Sequence, residues 1–153
     1  MTIFPINTIE SVYSIELPHY AEPNGDLVVM EGSVHVPFAI ARVFVVRAQE
    51  NAVRGHHAHK LCSQFLICAS GSVEVVCTDG INSMMFELNH PKAGLYIPPS
   101  IWAEQRYKSN DAALTVLCDR GYEDEDYIRE YSKYLLYREK LIIRGNFGVD
   151  NEL

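Results

Sequence analysis

RGHHAHK, residues 54–60, is the most informative segment of this 153-residue chain, and Gln64 follows it closely. Side chains alternate between the two faces of a β-strand, so in an extended segment His57 and His59 project to one face and their neighbours to the other. The alternation predicts that two imidazoles enter one cavity, whereas His56 lies at the surface or at an interface. Two imidazoles are costly to bury side by side without a function, which disfavours the alternative that they are simple core residues.

Short β-rich runs separated by Gly, Pro, Asn and Asp surround this segment. Their even spacing, with no helical pattern between them, predicts an all-β fold, a small antiparallel sandwich or barrel. The predicted strands are Leu27–Glu31, Ile40–Arg47, Gly55–Cys68, Val73–Thr78, Met84–Leu88, Gly94–Pro98, Trp102–Tyr107 and Leu114–Cys118.

The pattern after Cys118 changes to a helical period. Apolar residues spaced between charged ones predict a C-terminal amphipathic α-helix over Asp124–Ile143. The acidic run Glu123–Asp126 is expected to cap the start of this helix, where the helix dipole favours negative charge. The sequence therefore predicts one domain over residues 1–145 and a loose C-terminal tail over residues 146–153.

The composition limits the partners and the compartment. A formal net charge of −7 disfavours nucleic acid or an anionic membrane, because either would need a clustered basic surface. No apolar run reaches the length of a membrane span and no signal-peptide layout is present, so the cytoplasm is the expected compartment. The cysteines form no CxxC pair and stand in apolar runs, which favours reduced, buried thiols at Cys62, Cys68, Cys77 and Cys118.

The spacing of the histidine segment resembles the first motif of the cupin superfamily. Gly55, His57, His59, Gln64 and Gly71 stand where cupins have Gly, the two histidines of HxH, Glu and Gly. With the helix described above, this resemblance implies a small antiparallel β-barrel, or jelly roll, that carries a C-terminal α-helix.

Two positions depart from the metal-binding cupins. Gln64 replaces the usual Glu, and Ala103, which follows Pro98-Pro99, stands where the second cupin motif has a histidine. A metal site needs three or four well-placed donors, and this pattern offers two imidazoles and a neutral amide. No metal is therefore expected, and a metal-dependent dioxygenase or isomerase is the least favoured alternative.

Further residues, over roughly residues 24–140, narrow the resemblance. They are Gly25, Leu27, Glu31, Pro37-Phe38, Ile40, Arg42-Val43, Gly71-Ser72, Gly94-Leu95-Tyr96, Pro99, Trp102, Asp126-Tyr127-Ile128-Arg129 and Tyr131. Together with RGxHAHK, the most specific element, they resemble the cupin-type 3,4-ketoisomerases that act on dTDP-4-keto-6-deoxyglucose in the biosynthesis of dTDP-3-amino-3,6-dideoxysugars. Two positions differ near the expected ligand, since Asn24 stands where that family often has arginine and Phe44 where tyrosine is common.

The resemblance implies an isomerase that converts dTDP-4-keto-6-deoxyglucose to a dTDP-3-keto-6-deoxyhexose through an enediolate. The C3 hydrogen of a 4-keto sugar is acidic because the resulting anion is delocalised into the carbonyl. Imidazole accepts and returns protons at cellular pH, so we expect His57 to take the C3 proton and His59 to shuttle it or reprotonate C4. No cofactor is expected, since the substrate carbonyl is its own electron sink.

Six further residues are expected to bind the substrate: Arg42, Arg54, Lys60, Gln64, Tyr96 and Trp102. The two arginines would hold the pyrophosphate through forked, charge-assisted hydrogen bonds. Tyr96, Gln64 or Lys60 would donate to the enediolate oxygen. Trp102 and Tyr96 would stack on thymine or the sugar, with core packing as the open alternative.

The expected partner is a dTDP-linked keto-sugar, and the resembled proteins pair as homodimers. The product would serve an aminotransferase that supplies O-antigen, lipopolysaccharide or S-layer sugars. A dTDP-sugar 3,5-epimerase and a non-catalytic, metal-free cupin that only binds a sugar nucleotide remain alternatives. The configuration of the product at C4, gluco or galacto, is left open by the sequence.

Overall fold

Antiparallel strands make up most of the computed structural model, which describes residues 6–147. The strands are β1 (Tyr13–Glu16), β2 (His19–Glu22), β3 (Gly25–Val28), β4 (Arg42–Arg47), β5 (Val53–His59), β6 (Gln64–Ser70), β7 (Val73–Thr78), β8 (Ser83–Leu88), β9 (Ala93–Ile97), β10 (Trp102–Tyr107), β11 (Ala113–Cys118) and β12 (Tyr127–Ile128). Helix α1 spans Tyr131–Phe147, and short 3-10 turns cover Ile9–Ser11 and Asp124–Asp126.

Two five-stranded sheets form the body of the protein. The first sheet has the order β1-β9-β6-β11-β4, the second has the order β12-β5-β10-β7-β8, and β2 and β3 form a separate hairpin. This arrangement is a jelly-roll-like sandwich with a C-terminal helix, which confirms the predicted fold class.

The main core lies between the inner faces of the two sheets. Strand alternation places Leu66 and Cys68 of β6, and Val73 and Val75 of β7, in this core. All four cysteines are buried free thiols, as predicted.

Each sheet also buries part of its outer face. Phe65, Ile67 and Leu117 on the first sheet pack against the segment that contains Val36. Ala58, Trp102 and Ile128 on the second sheet pack against α1 through Tyr134. Where the outer face is covered, as at Ala58 of β5 and Phe65 of β6, buried side chains on both faces fix the orientation of the strand.

The predicted run Gly55–Cys68 is two strands, β5 and β6. Between them, the Leu61 N–H donates to the Asp126 carboxylate and the Ser63 N–H to the Asp119 carboxylate, in place of sheet partners. The prediction of a single strand is therefore wrong, because these backbone groups find side-chain acceptors more than fifty residues away in sequence.

Other strand boundaries differ in smaller ways. The strands predicted over Leu27–Glu31 and Ile40–Arg47 are observed as β3, which ends at Val28, and β4, which begins at Arg42. Strands β1, β2 and β12 were not predicted. β1 and β2 are mostly exposed and β12 has two residues, so none carries a clear apolar alternation.

The helix begins seven residues later than predicted. The acidic residues before it form the separate turn Asp124–Asp126, and the first turn of α1 contains no acidic residue. The expected cap is therefore wrong, because Asp126 turns inward and is buried. Residues 146 and 147 of the predicted tail are helical, and residues 148–153 lie outside the described part of the chain.

Over residues 6–147, no helix combines the length and the apolar composition that a membrane crossing requires.

Gly94 in β9 allows a close approach of the Phe65 ring on the neighbouring strand β6, where a Cβ atom would overlap the ring. Phe65 is fully buried, so a shift of its ring would disturb the packing around it. We expect Gly94→Ala to lower the free energy of unfolding by about 1–3 kcal/mol, the usual cost of overpacking a core. Urea unfolding followed by circular dichroism measures this loss.

The control is Gly121→Ala, whose Cβ meets no atom within 4 Å and should change the free energy of unfolding by less than ~0.5 kcal/mol. Equal stability of the two variants would contradict the packing described for Gly94.

Candidate active site

His57 and His59 lie on the inner face of β5. Ala58 between them packs outward under α1, and strand alternation turns both imidazoles inward. The centroids of the two rings are 5.0 Å apart, in an edge-to-face arrangement. The structure thus brings together the two residues that the HxH spacing singled out.

A β-bulge determines which face the start of β5 presents. The register of β10 against β5 shifts just after Ala103, and His56 has a positive φ of 54°. Gly55 has a φ of 89°, and a Cβ atom there would lie 2.9 Å from the Ala103 carbonyl oxygen. The extra residue reverses the alternation, so Arg54 pairs with Gln105 and shares its inward face.

Asp126 holds the ring of His59. The Nδ1–H of His59 donates a hydrogen bond of 2.8 Å to the Asp126 carboxylate, since an ionised carboxylate can only accept. Nε2 is then the unprotonated nitrogen, and this buried atom has no hydrogen-bond partner within residues 6–147. A basic lone pair therefore faces the space between the sheets.

His57 has a different environment. Its Nδ1–H donates a hydrogen bond of 2.9 Å to the Gly55 carbonyl oxygen, which leaves Nε2 as its basic nitrogen. Burial lowers the pKa of His57 to about 4, although the hydrogen bond to Gly55 opposes this shift. At pH 7 this imidazole is neutral and able to accept a proton.

Burial also lowers the pKa of His59. The hydrogen bond to Asp126 and the charge of that carboxylate act in the opposite direction, whereas the charges of Arg42 and Arg129 add to the lowering. The two imidazoles are therefore neighbours on the same inner face but differ in one respect, because His59 has a carboxylate partner and His57 has a neutral carbonyl.

Tyr127 covers the histidine pair from β12. Its ring centroid lies 4.4 Å from that of His59 and 5.2 Å from that of His57, and the Arg129 guanidinium lies 4.3 Å from its ring. No site role was predicted for Asp126 or Tyr127 from the sequence. The one signal for them was that the block Asp126–Arg129 belonged to the resemblance.

The first sheet contributes a polar row opposite the histidines. Arg42 of β4 pairs with Cys118 of β11, which pairs with Gln64 of β6. The Gln64 amide donates to the Cys118 sulfur at 3.8 Å, and the Arg42 guanidinium lies 4.8 Å from the Phe44 ring. This row places two of the predicted substrate-binding residues on the inner face.

Arg42 and Arg54 are available to a ligand. In the described part of the chain, no carboxylate lies within salt-bridge distance of either guanidinium. Neither guanidinium is therefore held by an ion pair in this structure.

Three predicted substrate-binding residues lie away from the histidine pair. Trp102 packs outward under α1 against Tyr131 and Tyr134, which fits the core alternative. Tyr96 belongs to the apolar cluster on the outer face of the first sheet. Lys60 follows His59 in alternation and so points to the other face, where it lines cavities beside α1.

The structure also shows the positions of His56, Asn24 and Phe44. His56 lies outside, with Nδ1 3.2 Å from the Glu104 carboxylate, as expected for a surface residue. Asn24 stands in the turn between β2 and β3, and Phe44 on the inner face carries no hydroxyl group to donate to a ligand.

Two cavities of about 440 Å³ flank α1, and neither is lined by His57 or His59. The first has mainly apolar walls with Lys60 and Arg120 at its edge, and the second is lined by several lysines and by Tyr127. The paired basic nitrogens of His57 and His59 thus lie outside both cavities.

Among residues 6–147, two clusters hold three potential metal donors each within 4.8 Å of one another. They are His19, Asp26 and His90, and His59, Cys62 and Asp126. His57 belongs to neither cluster, and the second-motif ligand of metal-binding cupins is replaced by Ala103, which stands directly opposite His57 in the register.

Comparisons with known proteins agree on one group. The family model "FdtA: WxcM-like, C-terminal" matches residues 10–139. The chain is 36% identical over 121 residues to the TDP-4-oxo-6-deoxy-α-D-glucose-3,4-oxoisomerase of Aneurinibacillus thermoaerophilus, covering 78% of this chain and 87% of that protein.

Solved structures show the same relationship. The sugar 3,4-ketoisomerase QdtA of Thermoanaerobacterium thermosaccharolyticum, in complex with TDP, is 34% identical with a TM-score of 0.82, covering 86% of this chain and 97% of that one. The TDP-quinovose 3,4-ketoisomerase WlaRB of Campylobacter jejuni is 36% identical with a TM-score of 0.78, covering 84% and 99%.

The low pKa of His57 makes stability depend on pH. Between pH 6.5 and about 4 the unfolded chain protonates this imidazole and the folded chain does not, so the native state loses stability as pH falls. We expect His57→Asn to remove on the order of 2 kcal/mol of the stability lost between pH 7 and pH 4. Urea unfolding at both pH values measures the difference, and parallel losses in the variant and the wild type would contradict it.

Proposed function

The chain belongs to the FdtA, WxcM-like C-terminal family, and from that membership we propose that it is a 3,4-ketoisomerase of a dTDP-linked 4-keto-6-deoxyhexose. The observation that carries the proposal is the pair of inward-facing imidazoles, His57 and His59, each with Nδ1 occupied and Nε2 free. Two neighbouring basic imidazoles, with ring centroids 5.0 Å apart, suit a reaction that removes a proton from one carbon and returns one to its neighbour.

The reaction moves a ketone from C4 to C3 of the sugar. Removal of the C3 proton sends its electron pair towards the C4 carbonyl and gives an enediolate. Transfer of the O3 hydroxyl proton to O4 and addition of a proton at C4 then leave the ketone at C3. Carbon C3 is oxidised and C4 is reduced within one molecule, so a separate redox cofactor is not required.

His57 suits the removal of the C3 proton because it is neutral at pH 7. His59, whose ring centroid is 5.0 Å away, is its partner in proton transfer. Gln64 on the opposite sheet is the predicted enediolate donor that remains on the inner face, although its amide already contacts the Cys118 sulfur. A bound substrate would therefore have to compete with that weak contact.

The arginines are proposed to bind the pyrophosphate. Arg42 and Arg54 lie on inward faces of opposite sheets and have free guanidinium groups, as described above. Guanidinium forms forked, charge-assisted hydrogen bonds with phosphate, which would attract an anionic nucleotide to a protein of net charge −7. Lys60, Tyr96 and Trp102 are not retained in this proposal, since they face away from the imidazoles.

We also propose that catalysis needs no metal ion. The position of a second-motif ligand is held by Ala103, and Gln64 offers a neutral amide. The imidazole pair alone supplies two donors, fewer than a stable catalytic site requires. Metal analysis of the purified active enzyme tests this, and activity that tracks a stoichiometric metal would contradict it.

We propose a cytoplasmic enzyme whose 3-keto product is used for O-antigen or lipopolysaccharide sugars. We also propose a homodimer, because β4 is an edge strand whose Val43 and Val45 side chains are exposed. Light scattering should give about twice the 17.3 kDa chain mass, and a monomer would contradict the dimer.

An NMR assay in D₂O tests the reaction itself. With dTDP-4-keto-6-deoxyglucose the wild type should form a 3-keto product that carries solvent label at C3 or C4. His57→Asn should lower the rate by at least ~100-fold, as for the loss of a general acid or base. The matched control is His56→Asn, which alters the adjacent outward histidine and should stay within about twofold of the wild type.

Other outcomes of this assay identify other functions. Solvent label at C5 would indicate a 3,5-epimerase. Tight binding of the nucleotide sugar without label or product would indicate a non-catalytic binding module, and equal rates for His57→Asn and the wild type would contradict the assigned base.

A further inference from the structure

Cys62 and Cys118 are two buried thiols at the junction of β6 and β11, and the proposed isomerase mechanism uses neither of them. Cys118 ends β11 and pairs with Gln64, the first residue of β6. The pairing continues one residue further, because the Asp119 N–H donates to the Ser63 carbonyl oxygen. Cys62 comes next along the chain, on the same face as Gln64, so it lies diagonally across from Cys118.

The two sulfur atoms are in contact. Cys62 and Cys118 belong to the same core cluster between the sheets. The Cys62 S–H has two acceptors within reach, the Ser63 carbonyl oxygen at 3.4 Å and the Cys118 sulfur. On its other side the Cys118 sulfur accepts from the Gln64 amide at 3.8 Å. The Cys118 sulfur is therefore surrounded by hydrogen-bond donors, which stabilise a thiolate.

These contacts make Cys118 the more acidic thiol of the pair. The hydrogen bond from Cys62 lowers the pKa of Cys118 to about 7, and the Gln64 amide and the charge of Arg42 act in the same direction, against the effect of burial. The same contact, together with burial, raises the pKa of Cys62, which keeps its proton. At pH 7 the pair thus places a thiolate, the nucleophilic form of cysteine, beside a thiol.

The other two cysteines differ from this pair. Burial raises the pKa of Cys77 to about 12, and it also raises the pKa of Cys68. The Cys68 S–H donates to the Ser70 carbonyl oxygen at 3.0 Å. Both thiols are therefore protonated at pH 7, and they serve as internal controls for Cys62 and Cys118.

The route to the pair is through the space between the sheets. Cys118 belongs to the polar row of Arg42 and Gln64 on the inner face of the first sheet. The proposed substrate carries a hexose, and a space that admits a hexose also admits a hydroperoxide, which is smaller. This route rests on the proposed function, whereas the contact between the two sulfurs does not.

We propose that Cys62 and Cys118 are a site of reversible oxidation, at which a hydroperoxide joins them as a disulfide. With hydrogen peroxide, the Cys118 thiolate attacks one oxygen, the O–O bond breaks, and Cys118 becomes a sulfenic acid. The hydroxide that leaves combines with the proton that Cys118 has lost. The Cys62 sulfur then attacks the Cys118 sulfur, the S–O bond breaks, and the second hydroxide takes the Cys62 proton. Two thiols lose two electrons and two protons, and the peroxide is reduced to two waters.

The disulfide also disturbs the end of β5. A disulfide needs Cβ atoms about 4 Å apart, which is closer than diagonal neighbours on paired strands, so Cys62 has to move towards β11. The preceding residue, Leu61, donates its N–H to the Asp126 carboxylate, which holds the His59 ring. The movement therefore reaches the candidate active site, and we expect the oxidised protein to be the slower isomerase.

Counting thiols after exposure to hydrogen peroxide tests the bond without any substrate. The untreated protein, once denatured, should show all four free thiols, and the treated protein should show two fewer. Dithiothreitol should restore the full count, and peptide mapping should find Cys62 linked to Cys118. An unchanged thiol count, or a link that involves Cys68 or Cys77, would overturn the proposal.

Cys62→Ser separates the two chemical steps. Without the second thiol, Cys118 should stop at the sulfenic acid, which dimedone traps as an adduct. The matched control is Cys77→Ser, which removes a buried cysteine of β7 and should still form the disulfide. A Cys62→Ser protein without the adduct would contradict the role of Cys118 as the attacking thiol. Should either variant fail to fold, the linked peptide of the wild type still decides the pairing.

The activity of the oxidised protein tests the consequence for the site. Turnover of dTDP-4-keto-6-deoxyglucose should fall by about tenfold on oxidation and recover with dithiothreitol, since small displacements of catalytic groups are costly. Equal turnover before and after oxidation would overturn this effect of the disulfide. A protein that is inactive in both states would contradict the proposed function, and the thiol count would still report whether the disulfide forms.

Discussion

The hydrogen-bonded placement of β5 between β10 and β12 is the constraint on which the rest of the site depends. One face of β5 is fixed by Ala58 under the helix, and the other then has to present the two imidazoles to the interior. β12 is only two residues long, yet its pairing of Tyr127 with His59 and of Ile128 with Ala58 uses both faces. A register slip of one residue would turn the imidazoles towards α1 and turn the Ala58 side chain to the inner face.

The same constraint explains why two chemically identical side chains behave differently. His57 lies beside the bulge, where its neighbour Gly55 offers a carbonyl oxygen. His59 lies at the end of the strand, where the chain leaves the sheet and Asp126 receives the freed backbone N–H of Leu61 as well as the imidazole. The environment, and not the residue type, separates their proton affinities.

Much of the fold could be predicted from local sequence patterns, and so could the pairing of His57 with His59 on one face. Period-two alternation needs no knowledge of distant partners, which is why His57, His59 and the sequence of short strands were predictable. The β-bulge at His56 was not predictable, because it depends on how β10 pairs with β5. This bulge turns Arg54 inward. Tyr96 and Trp102 show the same limit, since an aromatic residue suits either face of a strand buried on both sides.

The single tryptophan of the chain gives the molecule a built-in optical probe. Trp102 lies among Tyr131 and Tyr134, on the opposite face of β10 from Ala103, the residue across from His57. Its emission therefore reports the docking of the C-terminal helix on the sheet. Undocking of that helix would expose the indole to water, and this signal could be followed separately from events at the imidazoles.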